Sequence, residues 1–197
     1  MSQKIILASS SKSRLSLLKQ INLTPDIICP ADIDETSLKK EKARDMAARL
    51  AKSKTEKVGA EYPNDLVIGA DTVSVVGGQM LRKTYERDQA KENLLKISGR
   101  RHRLYTSICV MVKAKGIFVQ RTELSNLKFK RFSKIELEEY LDSEQWKGCS
   151  GSYAIEGLAA KYITWISGSV SNIQGLPLAE LHKILSGIDI NIKGYNE

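Results

Sequence analysis

Apolar and polar positions follow two rhythms along this chain, one of period two and one near 3.6, and together they divide it into strands and helices. Ile5 to Ala8 is a short apolar run that reads as a buried strand. After Ser9-Ser10-Ser11-Lys12-Ser13-Arg14, the residues Leu15, Leu17, Leu18 and Ile21 recur at helical spacing. Pro25 to Pro30 brackets a short strand around Ile27 and Ile28, and "ADIDET" is acidic and turn-like. From Lys39 to about Val58 the pattern is helical, with Ala43, Met46, Ala47, Leu50, Ala51 and Val58 on one face. Lys54 falls on that same face, where a cation needs a reason.

"GAEYPND" is expected to end this helix, and "LVIGADTVSVV" reads as a buried strand interrupted by Gly69 and Asp71. Gly77-Gly78 makes a turn, and Asp88 to Ile97 a helix stopped by Ser98-Gly99. Strict alternation from Leu104 to Val112 predicts a long strand. "KAKG" turns it back into "IFVQRTELSNLKFKRF", as an antiparallel hairpin would. Ser133 with Glu136 three residues later is a capping box for a helix whose apolar side is Ile135, Leu137, Tyr140 and Leu141. A Gly- and Ser-rich loop, the strand "YITWI" and a last helix from Leu178 to Leu185 complete the chain. With no repeat, low-complexity linker or evident boundary, residues 1–197 read as one α/β domain with a mixed sheet.

Charge changes this picture more than composition does. The hydrophobic fraction of 42% permits a sizeable core, but the net charge of +8 points to a polyanionic partner: nucleic acid, anionic lipid or a phosphorylated small molecule. No stretch approaches the ~18 apolar residues of a spanning helix, and the N-terminal apolar run is too short for a secretory signal. Cys29, Cys109 and Cys149 are odd in number and far apart, which predicts free thiols in a reduced, cytoplasmic protein, with Cys29 and Cys109 buried. His102 and His182 are isolated, so no zinc spacing exists.

Candidate chemistry begins at Ser9 to Arg14. The first turn of a helix has backbone N–H groups without partners and a partial positive charge. Hydroxyls and an arginine there can cradle phosphate, though serines also simply cap helices. Asp71, at what reads as the end of an apolar strand, stands where open α/β sheets place ligand chemistry. It can hold Mg²⁺ or act as general base on water, or merely close a turn. "DIDE" offers Asp34 or Glu35 as a further carboxylate, unless it is a solvated loop. Lys54 and Lys83 are candidate phosphate contacts, and the alternative for Lys54 is snorkelling along its helix. "SGRRHR" reads as a turn with solvated cations.

Together these residues resemble the Maf family of nucleoside triphosphate pyrophosphatases over nearly the whole chain. "LASSSKSRLSLL" is similar to the family's N-terminal pattern, with Ser9, Ser11 and Arg14 in place and Lys12-Ser13 replacing its usual Pro-Arg. "DIDE" supplies Glu35, "RLAKSK" supplies Lys54, and "GADTV" is the family's central motif, with Asp71 at its catalytic aspartate. "LRK" keeps the family lysine as Lys83, while Arg82 and Thr84 replace Gly and Pro. "SGRRHRLYT", "SGSYAIEG" and "SNIQGLPL" match three further motifs in order.

The resemblance implies an elongated, curved mixed β-sheet flanked by helices, with two lobes around a nucleotide cleft, as in the inosine triphosphate pyrophosphatases. It implies cleavage of a nucleoside triphosphate to monophosphate and pyrophosphate, clearing selected or non-canonical nucleotides, with Mg²⁺ or Mn²⁺ as cofactor and a homodimer as the assembly. Asp71, Lys54 and Lys83 would be catalytic, Ser9, Ser11 and Arg14 would bind substrate, and Glu35 and Asp71 would hold metal. Ser13, Thr72 and Glu156 align with the family's base-specificity positions: Thr72 resembles the branch acting on thymidine and uridine triphosphates, Glu156 the 7-methylguanosine triphosphate branch, and Ser13 neither. The rival readings are a nucleotide-binding regulator of cell division and a nucleic-acid-binding protein without hydrolysis. Aromatic residues at 6% are thin material for a stacking platform, so no nucleic-acid partner is expected, and no membrane.

Overall fold

In the computed structural model, residues 3–188 are described. Their order is β1 (Ile5–Leu7), α1 (Lys12–Gln20), β2 (Ile27–Ile28), α2 (Ala43–Glu61), β3 (Leu66–Val76), β4 (Gln79–Leu81), α3 (Arg87–Ile97), β5 (Arg101–Val112), β6 (Ile117–Phe129), α4 (Lys134–Asp142), β7 (Ile163–Ser167), α5 (Val170–Gln174) and α6 (Leu178–Ser186). The strands form one seven-stranded sheet in the order β2-β1-β3-β5-β6-β7, with β4 paired to β3. The sheet is mixed: β1 runs parallel to β2 and β3, whereas β3–β4 and β6–β7 are antiparallel. The expected mixed α/β architecture is what the chain adopts.

The backbone divides into two compact units. The first takes the chain up to Asp71, then Thr106–Glu123, then the part from Gly175 onward; the second takes Thr72–Tyr105 and Leu124–Gln174. Each has its own core. In the first, Leu17 and Leu18 of α1 and Leu181, Ile184 and Leu185 of α6 close over Leu66, Ile68 and Ala70 of β3 and Ile108 and Val110 of β5. In the second, Ala90, Leu94 and Ile97 of α3 and Leu137, Tyr140 and Leu141 of α4 pack with Leu104, Leu127 and Phe129.

The elements arise from local chemistry that the sequence displays. Ser11 caps α1, its hydroxyl accepting from the Arg14 N–H. Ser133 and Glu136 form the expected reciprocal capping box at α4. Gly77 and Gly78 both have positive φ, 56° and 82°, as a tight β3–β4 hairpin turn demands.

Several boundaries differ from expectation. Helix α2 starts at Ala43 and not Lys39, because Glu41 is drawn into a loop: its carboxylate accepts from the Leu38 N–H and from the Arg49 guanidinium. It also continues through Gly59 to Glu61. A Cβ at Gly59 would stand 2.5 Å from Met111 Sδ, so this glycine lets α2 lie close to β5. "SGRRHR" is a turn only as far as Arg100; β5 begins at Arg101. Strand β3 is uninterrupted, and Asp71 lies in its middle. Ile135 is 81% exposed despite its place in the apolar pattern, since it sits in the first turn of α4, away from the core. Cys109 is buried but Cys29 only half so, and all three cysteines are free. Among the described residues no helix is long and apolar enough to cross a membrane.

Candidate active site

The first unit explains the cation on the apolar face of α2. Lys54 is buried, and its Nζ lies 2.6 Å from Asp71 Oδ1 and 2.5 Å from Glu35 Oε1. It therefore does not snorkel; it is pinned between two carboxylates, one deep in β3 and one on the loop before α2. Of the two acidic candidates in "DIDE", Glu35 is the one that reaches the site. Asp34 instead closes a local turn, where hydrogen bonds from the Thr36 side chain and, at 2.8 Å, from the Thr36 N–H lower its pKa.

Close approach of α2 to β3 sets this geometry. Gly69, two residues before Asp71, faces Thr55, one residue after Lys54, and a Cβ at Gly69 would stand 2.1 Å from Thr55 Oγ1. Only a bare backbone lets the helix lie near enough for Lys54 to reach Asp71.

Arg14 completes the set. It is buried in the first turn of α1, donating from Nε to the Gly175 carbonyl at 2.8 Å and from Nη1 to Ser9 Oγ at 2.9 Å. Ser9 Oγ also accepts from the Ser11 N–H at 3.2 Å. Burial lowers the Arg14 pKa, while the charges of Asp71 and Glu35 raise it. So Ser9, Ser11 and Arg14 form one hydrogen-bonded unit at the start of α1, and its guanidinium lies in the field of the same carboxylates that hold Lys54. Ser13, half-buried, is the neighbour of Arg14 on that first turn.

Two carboxylates against two buried cations make a charge-balanced cluster. Such burial is costly unless each charge is paired, and it presents fixed charges of both signs to a ligand. The donor set suits a divalent cation: hard carboxylate oxygens of Glu35 and Asp71 converge on one positive centre, and Mg²⁺ is commonly held by one or two carboxylates, with water and substrate phosphate as its other ligands. Among the described residues no group of three or more His, Cys, Asp or Glu side chains is arranged to hold a metal by itself.

The second unit carries Thr72, Lys83 and Glu156. Thr72 is buried, next to Asp71 along β3, whereas Lys83 and Glu156 are exposed. Both act on half-buried Cys149, whose thiol burial pushes up to about 11, with Glu156 raising it further and Lys83 opposing. The loop bearing Glu156 is tied down by side chains that sequence reasoning missed. Ser150 Oγ accepts from the Ser74 N–H at 2.9 Å, and buried Asn93 donates from Nδ2 to Ser152 Oγ at 2.9 Å and to the Arg82 carbonyl at 3.1 Å. Asn93 thus anchors both this loop and the segment leading to Lys83. The signal was present: an asparagine among Ala90, Leu94 and Ile97 on the buried side of α3.

A mixed sheet carries buried Lys54 and Asp71 together with the exposed Glu35, and the fold has a solved counterpart. The HAM1 protein from Coxiella burnetii matches 95% of this chain and 100% of its own length at a TM-score of 0.53, with 14% identity, a likeness of fold alone. The chain itself belongs to the Maf family: residues 4–188 match the model described as "Maf-like protein". It is 47% identical to a dTTP/UTP pyrophosphatase of Wolbachia sp. subsp. Drosophila simulans (strain wRi), over 92% of each chain. It is 45% identical to a nucleoside triphosphate pyrophosphatase of Anaplasma marginale (strain Florida), over 93% of each.

Proposed function

We propose that this chain hydrolyses nucleoside triphosphates to nucleoside monophosphate and pyrophosphate. The names of its relatives support the reaction, and the observation that carries it is the Lys54 ammonium held between Glu35 and Asp71 beside the Arg14 guanidinium. In this reading Ser9, Ser11 and Arg14 bind the phosphate tail at the start of α1, where backbone N–H groups add to the hold. Asp71 accepts a proton from the attacking water as its oxygen bonds to the α-phosphorus, and the bond to the bridging oxygen breaks to release pyrophosphate. Lys54 and Lys83 offset the negative charge that gathers on the phosphoryl and leaving groups. A divalent cation, Mg²⁺ or Mn²⁺, held by Glu35 and Asp71 would supply charge neutralisation at the phosphate.

Base choice rests on Thr72, Glu156 and Ser13. A carboxylate only accepts hydrogen bonds, so Glu156 favours a base edge presenting N–H groups, whereas Thr72 and the names of the Wolbachia relatives put dTTP and UTP first. A homodimer and a cytoplasmic setting belong to the same proposal, the latter supported by three unpaired cysteines.

The test is pyrophosphate release from dTTP, UTP, 7-methyl-GTP and the other common triphosphates, with Mg²⁺, with Mn²⁺ and with chelator. Asp71→Asn should lower kcat by ~10²–10⁴ with the fold intact, the loss expected for a general base. Near-normal turnover in that variant would remove Asp71 from the role. Silence of the wild type across the panel would overturn the reaction itself.

A further inference from the structure

The second unit holds a cavity of about 520 Å³ that plays no part in the chemistry above. It is lined by Val75 of β3, Gly77 and Gly78 of the hairpin turn, Arg101 and Arg103 of β5, Asn126 of β6 and Trp165 of β7, with His102 beneath. Within this unit it opens on the opposite side of β3 from the Glu156 loop, because neighbouring strand residues point to opposite faces: Val75 lines the cavity while Ser74 contacts Ser150. His102 turns its ring away as well, onto Phe129 and Tyr153 in the core. Helices α3 and α4 pack against that core, and the cavity side bears the exposed Arg101 and Arg103 and the half-open indole of Trp165.

We propose that this cavity is a second nucleotide site, taking a free nucleoside phosphate. Three observations specify that ligand. Among the described residues no carboxylate lines the cavity, so its two guanidinium groups present positive charge, whereas elsewhere on this unit Arg87 is neutralised by Glu138 and Asp142. The Arg101 guanidinium stacks on Trp165, 4.5 Å from the ring centroid. A guanidinium layered on an indole keeps its N–H edge for phosphate oxygens and offers its outer face to a nucleobase. Finally, the volume falls within the several hundred Å³ of small-molecule sites. A polymer would need a basic track with several stacking aromatics, and Trp165 is the single indole in this lining. A second copy of the chain would set Arg101 and Arg103 against like charge if a two-fold axis passed through the cavity.

Full-length protein labelled with 5-fluorotryptophan gives two ¹⁹F resonances, from Trp146 and Trp165, assigned with Trp165→Phe. Titration with UMP, GMP and pyrophosphate should shift the Trp165 signal saturably for the monophosphates. The paired change Arg101→Ala and Arg103→Ala should weaken binding about tenfold or more, as loss of charge-assisted contacts does. Asp71→Asn should leave that shift in place, and Arg101→Ala should leave pyrophosphate release unchanged, which separates this site from the proposed hydrolytic one. No saturable shift, a shift that survives loss of both arginines, or a response only to single-stranded oligonucleotides would overturn the proposal. So would a Trp165 signal that moves with protein concentration alone, which would make this face an interface between copies.

Discussion

Replacing Gly69 by alanine tests the contact on which the candidate active site is built. The new Cβ would lie 2.1 Å from Thr55 Oγ1 and 3.3 Å from Thr55 Cβ and its backbone nitrogen. Thr55 is fully buried, and its hydroxyl donates to the Ala51 carbonyl at 2.8 Å. Rotating the hydroxyl aside sacrifices that hydrogen bond, about 1 kcal/mol. Leaving it in place pushes α2 from β3, and overpacking of this kind costs about 1–3 kcal/mol. Either route therefore costs about 1–3 kcal/mol, which corresponds to a Tm lower by about 2–12 °C for a chain of this length. Because Thr55 adjoins Lys54, the same displacement separates Nζ from Asp71, so turnover should fall further than the unfolded fraction explains. Thermal melts by circular dichroism on Gly69→Ala, Thr55→Ala and the double variant form a cycle. The double variant should be more stable than the sum of the singles by about 1 kcal/mol or more, as for residues in contact. Additive effects, or a Gly69→Ala protein melting like the wild type, would refute the close-approach argument.

Two further outcomes follow from other parts of the chain. His102 is buried between Phe129 and Tyr153, and burial pushes its pKa down to about 4. Its neutral form therefore contributes stability that is complete above the unfolded value near 6.5 and is lost as pH falls towards 4. The loss is about 2 kcal/mol between pH 7 and 5. Melts over that range should show a slope that flattens in His102→Gln, and an unchanged slope would reject the assignment. At α4, Ser133→Ala removes the cap that accepts from the Glu136 N–H, and should cost about 1 kcal/mol, read as a Tm lower by about 2–4 °C. A shift below 1 °C, with the helix intact by circular dichroism, would mean another group caps α4.

What could be read from the sequence was what depends on near neighbours. Periodicity located β1, α1, β3, α3, β5, β6 and α6, and the capping box fixed the start of α4 to the residue. The five-residue α5 escaped notice because one turn has no period to detect. The motifs likewise named Ser9, Arg14, Glu35, Lys54 and Asp71 as a set.

The tertiary structure alone decided how that set is used. Arg14 reaches a carbonyl 161 residues away, and Lys54 joins Asp71 across the α2–β3 packing. Glu35 prevailed over Asp34 because the latter closes its own turn. Asn93 takes its role only where the loop and the segment it anchors come beside α3. Nor does the chain announce that Arg101 and Trp165 share a stack, since they meet only through strand pairing. Local propensity writes elements into the sequence within a few residues of where they form. A charged site needs partners from distant segments, and burial determines which charges are paired and which face outward.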